Sequence, residues 1–396
     1  MQGQNLRQLW ESLGPVGCLQ KLTEALELKL LRPEDFSLRE LAWAFCGENW
    51  PRALRPDRLE RHGQQALLEA GDGVDVSAFS NITGQLFYTK IMEGWQRASR
   101  VADALVQTVP TRLDGEKLPW LGHIDGGDEE VRPGQPFPEV GFGERFIETP
   151  RTTKKGRILS LTREAIFFDH TTQMMRQADD LGEALAYRRE LDILKVVLGL
   201  VNPYKLNGTA NDTFQETSPW INTIGGKPLS DWTSIDEAYV LASQVVDPDT
   251  GLPLKIEFKQ LLVMPAKLFT ARRIVSATEI STTSPGYATS GAPQKTTSLN
   301  IPEVRNLEVL STPLARKLLV DEGLTPANID DWWFIGDFKR AFAWMENWPL
   351  TVVQAPPLST KEFEQDIVAR WKASYRGVAA VLEPRVVFKM YDQGEE

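Results

Sequence analysis

Thr172-Gln173-Met174-Met175-Arg176-Gln177-Ala178-Asp179-Asp180-Leu181-Gly182-Glu183-Ala184-Leu185, running on through Ala186 to Leu200, is the strongest periodic stretch of the chain. Met174, Ala178, Leu181, Leu185, Leu194 and Leu198 fall close to one face at helical spacing. Thr171 or Thr172 is placed to cap the start, and Asn202-Pro203 to stop the helix. From Thr172 to Leu200 such a helix spans roughly 40 Å at about 1.5 Å per residue. That is long for a globular helix, so something extended must lie beneath it.

The sequence just upstream has the opposite character. From Val109-Pro110 to Leu161 it is rich in Gly and Pro, with short alternating runs such as Arg145-Phe146-Ile147-Glu148-Thr149. Lys154-Lys155-Gly156 reads as a turn between two strands. Too few apolar residues are present for a core, so the segment reads as a long two-stranded loop projecting from a body, and loops of such length are usually functional. Further upstream the chain reads as helical. Leu19, Leu22, Leu26 and Leu30 form one stripe. Ser37 and Glu40 make a capping box for a short helix through Trp43 and Phe45, closed by Gly47. Further helices are expected from Asp57 to Ala70 and from near Ser77 through Phe79, Ile82, Leu86 and Phe87.

Downstream, residues 203 to 234 are polar and turn-rich. A helix over Ile235 to Val246 precedes a strand, Gln260 to Met264, and a helix from Pro265 to Val275, with proline in the first turn. Residues 281 to 300 read as a Ser/Thr/Gly/Pro-rich surface loop. Strands are expected at Asp331 to Ile335, Leu350 to Val353, Phe363 to Tyr375 and Arg385 to Lys389.

With 396 residues, 42% hydrophobic and 25% charged, the chain is globular in composition and long enough for more than one core. No apolar stretch approaches the roughly 20 residues that span a bilayer. The polar opening Met1-Gln2-Gly3-Gln4-Asn5 does not read as a signal peptide, so a soluble cytoplasmic product with no membrane partner is expected. Cys18 and Cys46 are the only cysteines, too few for a disulfide framework and not at ligand spacing. The net charge of −10 argues against tight nucleic-acid binding, which needs clustered Lys and Arg. Mild acidity does suit a protein that sits near DNA without adhering to it.

Catalytic patterns are not found. The three histidines, His62, His123 and His170, fall in separate elements. His123 lies in the acidic run Gly122 to Glu130, which reads as a solvated loop tip rather than a metal site. Asp247-Pro248-Asp249-Thr250-Gly251 resembles the start of a calcium loop, but no downstream Glu completes it, so it reads as a turn. Neither a phosphate loop nor a nucleophile elbow is present; Gly225-Gly226-Lys227 runs into Pro228. Twelve tryptophans are many, and Trp332-Trp333-Phe334 and Phe342-Trp344-Trp348 read as buried strand positions and subunit contacts. Accordingly no residue is assigned as catalytic, cofactor-binding or metal-ligating.

The order of elements carries a resemblance, and four segments agree with it: Gly156-Arg157-Ile158-Leu159-Ser160-Leu161-Thr162-Arg163-Glu164-Ala165, Leu262-Val263-Met264-Pro265-Ala266-Lys267-Leu268, Ile335-Gly336-Asp337-Phe338-Lys339-Arg340-Ala341-Phe342, and Val378 to Val387. Together they resemble the tailed-bacteriophage major capsid proteins of the Hong Kong 97-type fold. The resemblance implies an α+β architecture in five parts: an N-terminal helical arm (1–108), an extended loop (109–161), a peripheral domain with a long spine helix (162–234), an axial domain (235–355) and a C-terminal return (356–396). It implies a structural protein with no cofactor. Homo-oligomeric pentamers and hexamers would form a shell around double-stranded DNA, with portal, scaffold or decoration proteins as partners. Assembly is expected in the host cytoplasm, with the arm retained in the mature virion. An encapsulin-type compartment shell is the nearest rival, and a soluble enzyme with Trp332 and Trp333 lining a pocket the other. Some members of the family join a loop Lys to a neighbour's Asn, with a Glu as proton acceptor. Lys154 or Lys155 would supply the amine, but Asp366 stands where that Asn is expected and Lys372-Ala373-Ser374 offers no Glu. A shell held by non-covalent contacts is therefore expected.

Overall fold

Apolar spacing makes the long helix, and a glycine rather than a proline ends it. The computed structural model describes residues 37–46, 50, 72–98, 100–120, 145–247, 251–284, 294–355 and 366–392, with scattered positions between 12 and 25. In chain order the main helices are α1 (Leu38–Cys46), α2 (Asp72–Arg97), α3 (Arg163–Phe167), α4 (Thr171–Val197), α5 (Trp232–Ser243), α6 (Leu268–Ser276) and α7 (Pro313–Asp321). The strands are β1 (Gln107–Pro110), β2 (Lys117–Pro119), β3 (Phe146–Glu148), β4 (Thr153–Thr162), β5 (Lys205–Leu206), β6 (Thr209–Ala210), β7 (Thr223–Gly225), β8 (Gln260–Val263), β9 (Glu279–Ser284), β10 (Gln294–Leu299), β11 (Glu308–Leu310), β12 (Trp333–Gly336), β13 (Phe342–Gln354), β14 (Ile367–Val381) and β15 (Val387–Tyr391). This is the α+β order that the resemblance implies. The stripe leucines around Leu22 are described only in part, and the helix expected over Asp57 to Ala70 lies outside the described residues.

Contacts divide the chain into two compact units. The first takes Met1–Ser99, Thr153–Arg189 and Trp348–Arg376. Here α4 buries Met174, Ala178, Leu181 and Leu185, the face expected from the spacing. α2 buries Ile82, Leu86, Phe87, Ile91 and Trp95. The two helices meet at glycines. A Cβ on Gly94 would lie 2.2 Å from the Asp179 carbonyl oxygen, and one on Gly182 2.1 Å from that of Ile91. Phe87 packs on Trp371 at 4.3 Å and Trp95 on Tyr375 at 5.6 Å, so α2 also covers β14. The Ser37 hydroxyl accepts from Glu40 N–H at 3.2 Å, the half of the capping box that caps α1, and donates to Asp169 at 2.9 Å.

One expectation fails in this unit. Lys154-Lys155-Gly156 is not a turn; it lies inside the ten-residue strand β4. Gly156 is there for close approach, since a Cβ would stand 2.6 Å from the Ala373 carbonyl and 2.7 Å from Ser374 Cβ. The strand expected over Phe363 to Tyr375 is present from Ile367 and extends further, to Val381, because the apolar alternation continues past Tyr375; residues 363–365 lie outside the described residues.

The second unit takes Arg100–Thr152, Glu190–Asn347 and Gly377–Glu396. Here α4 ends at Val197, with Gly199 at φ +73° and its N–H bonded to the Val196 carbonyl. A mixed five-stranded sheet has the order β11-β8-β12-β15-β7. β12 runs antiparallel to both β8 and β15, whereas β11 and β7 are parallel to their neighbours. β8 and β12 are buried at every position, which explains why Leu261-Leu262-Val263 and Trp333-Phe334-Ile335 are continuous apolar runs. Leu261, Val263, Trp333, Ile335, Phe388 and Met390 face α5 and α6 in one core.

α5 starts earlier than expected, at Trp232, because the Asp231 carboxylate accepts from Thr233 N–H at 2.9 Å. The segment expected as a surface loop over 281 to 300 contains an antiparallel hairpin instead, with β9 and β10 paired from Gln294↔Ser284 to Leu299↔Glu279. Its Thr-rich strands read as loop by polarity, yet threonine's branched Cβ favours extended backbone. The strand expected from Leu350 is the end of β13, which begins at Phe342 and pairs its start in parallel with β1.

Candidate inter-subunit surfaces

At the two ends of the segment expected as an extended loop, the described residues form local pairings. β2 and β3 are antiparallel, with Leu118 opposite Ile147. The β5–β6 hairpin, which follows the spine helix, adds to β3 through Ile147↔Leu206 and Glu148↔Lys205. Asn207 makes the join. Held at φ +51°, it accepts from Phe146 N–H through Oδ1 at 2.9 Å and donates its own N–H to the Phe146 carbonyl at 2.9 Å. Asp114 Oδ1 accepts from Thr152 N–H and Oγ1 at 2.9 and 2.8 Å. Residues 121–144, which include His123, lie outside the described residues, as does His62.

β4 leaves the first unit's sheet as an edge strand, in the order β13-β14-β4. Lys154 and Arg157 are exposed, Lys155 is half-buried, and Ile158 is 61% exposed beside them. Lysine on an edge strand discourages unwanted strand pairing. Lys154 Nζ lies 6.0 Å from the Trp348 ring, which Arg376 also approaches at 5.6 Å. Asp366 is committed elsewhere: its carboxylate pairs with Arg163 at 2.5 Å, and its carbonyl accepts from Arg163 N–H at 3.1 Å. An ionised carboxylate held by a guanidinium is no electrophile for a lysine amine.

Buried charge is used for structure in the second unit. Arg385 binds Glu383 through Nε and Nη2, both at 2.7 Å, stacks 4.7 Å over Trp120 and stands 3.7 Å from the fully buried Asp247. Burial opposes its charge, but the Glu383 hydrogen bonds and the charges of Glu383 and Asp247 hold the guanidinium protonated above its ordinary pKa. The calcium-loop-like run is a turn, with Gly251 N–H donating to the Asp247 carbonyl at 2.8 Å. Sequence reading did not reveal that Asp247 points at an arginine of the C-terminal return. Asn222, also missed, is fully buried and donates to the Thr213, Pro384 and Val387 carbonyls. Among the described residues no group of three or more His, Cys, Asp or Glu side chains is placed to hold a metal ion. Trp333 is buried, donating Nε1–H to the Lys227 carbonyl at 2.8 Å, while Trp332 is half-buried.

Lys389 sits 3.6 Å over the Trp332 ring, and burial lowers its pKa from 10.5 to about 8, with Glu216 opposing the shift. Between pH 8 and 10.5 the unfolded chain therefore binds more protons at this residue than the folded one, so this group's contribution to stability rises with pH across that window. Below pH 8 the cost of burying the charge is fully present. Lys389→Met is expected to stabilise the subunit at pH 7 by on the order of 1–2 kcal/mol, after allowance for partial exposure and the ring contact. The gain should shrink towards pH 10.5. Thermal melts of both proteins from pH 7 to 10.5 check it; a constant difference would contradict the assignment.

A protein family described as phage capsid protein matches residues 147–390. The chain is similar to the capsid structure of the cyanophage P-SCSP1u, at 14% identity over 76% of this chain and 90% of that one, TM-score 0.44. It is similar to the Gordonia phage Cozz structure, at 14% identity over 76% and 89%, TM-score 0.43. A virus-like particle from Pyrococcus furiosus is also similar, at 9% identity over 76% and 96%, TM-score 0.39. No curated protein matches the chain.

Proposed function

The chain belongs to the phage capsid protein family, and on that premise we propose that its copies assemble, as pentamers and hexamers, into an icosahedral shell of the Hong Kong 97 type around double-stranded DNA. The observation that carries the reading is the family match over residues 147–390, which takes in the long helix α4, the strands of the five-stranded sheet and β14. The way charge is spent supports it. A buried ionic group around Arg385 joins Trp120, beside β2, to Glu383 and Asp247 within the second unit. A net charge of −10 leaves contact with packaged DNA weak and sequence-independent. Portal, scaffold or decoration proteins would meet the finished or growing shell, host cytoplasm being the place of assembly and the virion the final location.

Electron microscopy of the purified protein tests the reading. Closed or partial shells, formed alone or with a scaffold, are the expected result; a population of small oligomers only, under all assembly conditions, overturns it. Boiling mature particles in detergent should release one band near 44.5 kDa, since the family resemblance places Asp366, which pairs with Arg163, where a cross-linking Asn would stand. A ladder of multimers under reducing conditions overturns the non-covalent reading.

A further inference from the structure

The second unit carries two helices on one face of its five-stranded sheet, each with its inner residues in a common core. Ile235, Ala238 and Leu241 of α5 pack there with Ala271 and Ile274 of α6. Their outer faces differ in charge. α6 presents Phe269, 72% exposed, with Arg272 and Arg273 three and four residues on, which places all three on one side of the helix. α5 presents Asp236 and Glu237 with Val240, 53% exposed, at the same kind of spacing. Arg272, Arg273 and Asp236 form no ion pair with any described residue; Glu237 is shared with Lys227 at 2.9 Å.

The two faces also lie towards different ends of the sheet. α6 touches β11 and β8, at one edge. α5 is tied to the other side through Lys227, which pairs with Glu237 and donates its N–H to the Tyr391 carbonyl, at the end of the strand next to edge strand β7. A cationic face with an exposed aromatic ring and an anionic face with an exposed aliphatic residue thus stand on one chain, separated along one sheet. Arginine and aromatic residues are enriched where protein surfaces meet, and charge complementarity fixes register between them.

We propose that the Phe269–Arg272–Arg273 face of α6 docks on the Asp236–Glu237–Val240 face of α5 in an adjacent copy, head to tail. The proposal rests on the shell reading, because a heterologous contact repeated by rotation closes a ring of subunits. A phosphate backbone would satisfy the arginines but leave the acidic face of α5 without a role; a second copy satisfies both.

Charge exchange tests it. All four charged side chains are exposed, so neither reversal should alter thermal melting of the unassembled subunit by more than a small amount. The pair Arg272→Glu with Arg273→Glu should raise the protein concentration needed for assembly at least tenfold, and so should Asp236→Lys with Glu237→Lys. A mixture of the two variants, or a chain carrying all four changes, should recover assembly to within a few-fold of the wild type. Recovery is the decisive readout, since a merely structural role for any of these residues would not produce it. Assembly by either reversal at the wild-type concentration overturns the contact, as does failure of the fourfold variant to recover. A wild type that forms no particles at all overturns the shell reading instead, so the two failures are distinguishable.

Discussion

Arg385→Met is expected to destabilise the folded subunit by about 3–5 kcal/mol, the usual cost of removing one partner from a buried ion pair. The size follows from what remains. Asp247 is fully buried and Glu383 mostly so, and both would keep a negative charge without the guanidinium that offsets it. Trp120 would also lose the nearer of its two cations, Arg145 remaining at 5.4 Å. Replacing Glu383 together with Arg385 by methionines should cost less than Arg385→Met alone, because the double change deletes one of the stranded charges. Denaturant unfolding of the three proteins measures both differences. A loss under about 1 kcal/mol for the single variant would mean that water reaches the cluster. Because Trp120 directly follows β2 and donates its N–H to the Arg145 carbonyl beside β3 at 2.9 Å, the same variant should also loosen this pairing, read as faster amide exchange in β2 and β3.

Gly182→Ala is the second large effect. Helix propensity alone predicts that alanine at an interior position gains about 1 kcal/mol over glycine. The expected result has the opposite sign. The new Cβ would sit 2.1 Å from the Ile91 carbonyl oxygen and 2.8 Å from the Trp95 nitrogen, both rigid backbone of α2. α2 and α4 must separate, and the buried contacts of Ile91 and Trp95 are strained along the way. Overpacking of this kind costs about 1–3 kcal/mol, and more when backbone rather than a flexible side chain blocks the site. A net loss of about 2–4 kcal/mol is expected in urea unfolding, with a red shift of tryptophan emission as Trp95 becomes wetter. Stabilisation by about 1 kcal/mol, as propensity predicts, would show that the two helices do not press together at that residue.

Elements that declare themselves by local chemistry were legible in the sequence. The apolar stripe of α4, the Ser37 cap of α1, the two-sided apolar runs of β8 and β12 and the proline that opens the turn before α6 each follow from residues within a few positions of one another. Misreadings arose where local chemistry points one way and a distant partner another. Lys154-Lys155-Gly156 has the composition of a turn, but Ala373 and Ser374 leave room only for glycine in a straight strand. Asn202-Pro203 looks like the stop of α4, while Gly199 had already ended it by taking positive φ.

Of the candidate surfaces, the sequence supplied the lysines of β4 and the identity of Asp366, both of them matters of residue type. The partners came from the fold. Arg163 lies far from Asp366 along the chain, and Asp247 is well over a hundred residues from Arg385.

By itself, then, the sequence determined fold class, element order and the lack of any catalytic pattern, because periodicity, caps and residue types act over a few neighbouring positions. Only the tertiary structure decided which glycines mark contact rather than turns, which carboxylates are already spent on arginines, and which charged helix faces are exposed. Those depend on close approach between segments distant in the chain, where a single ångström separates packing from a clash.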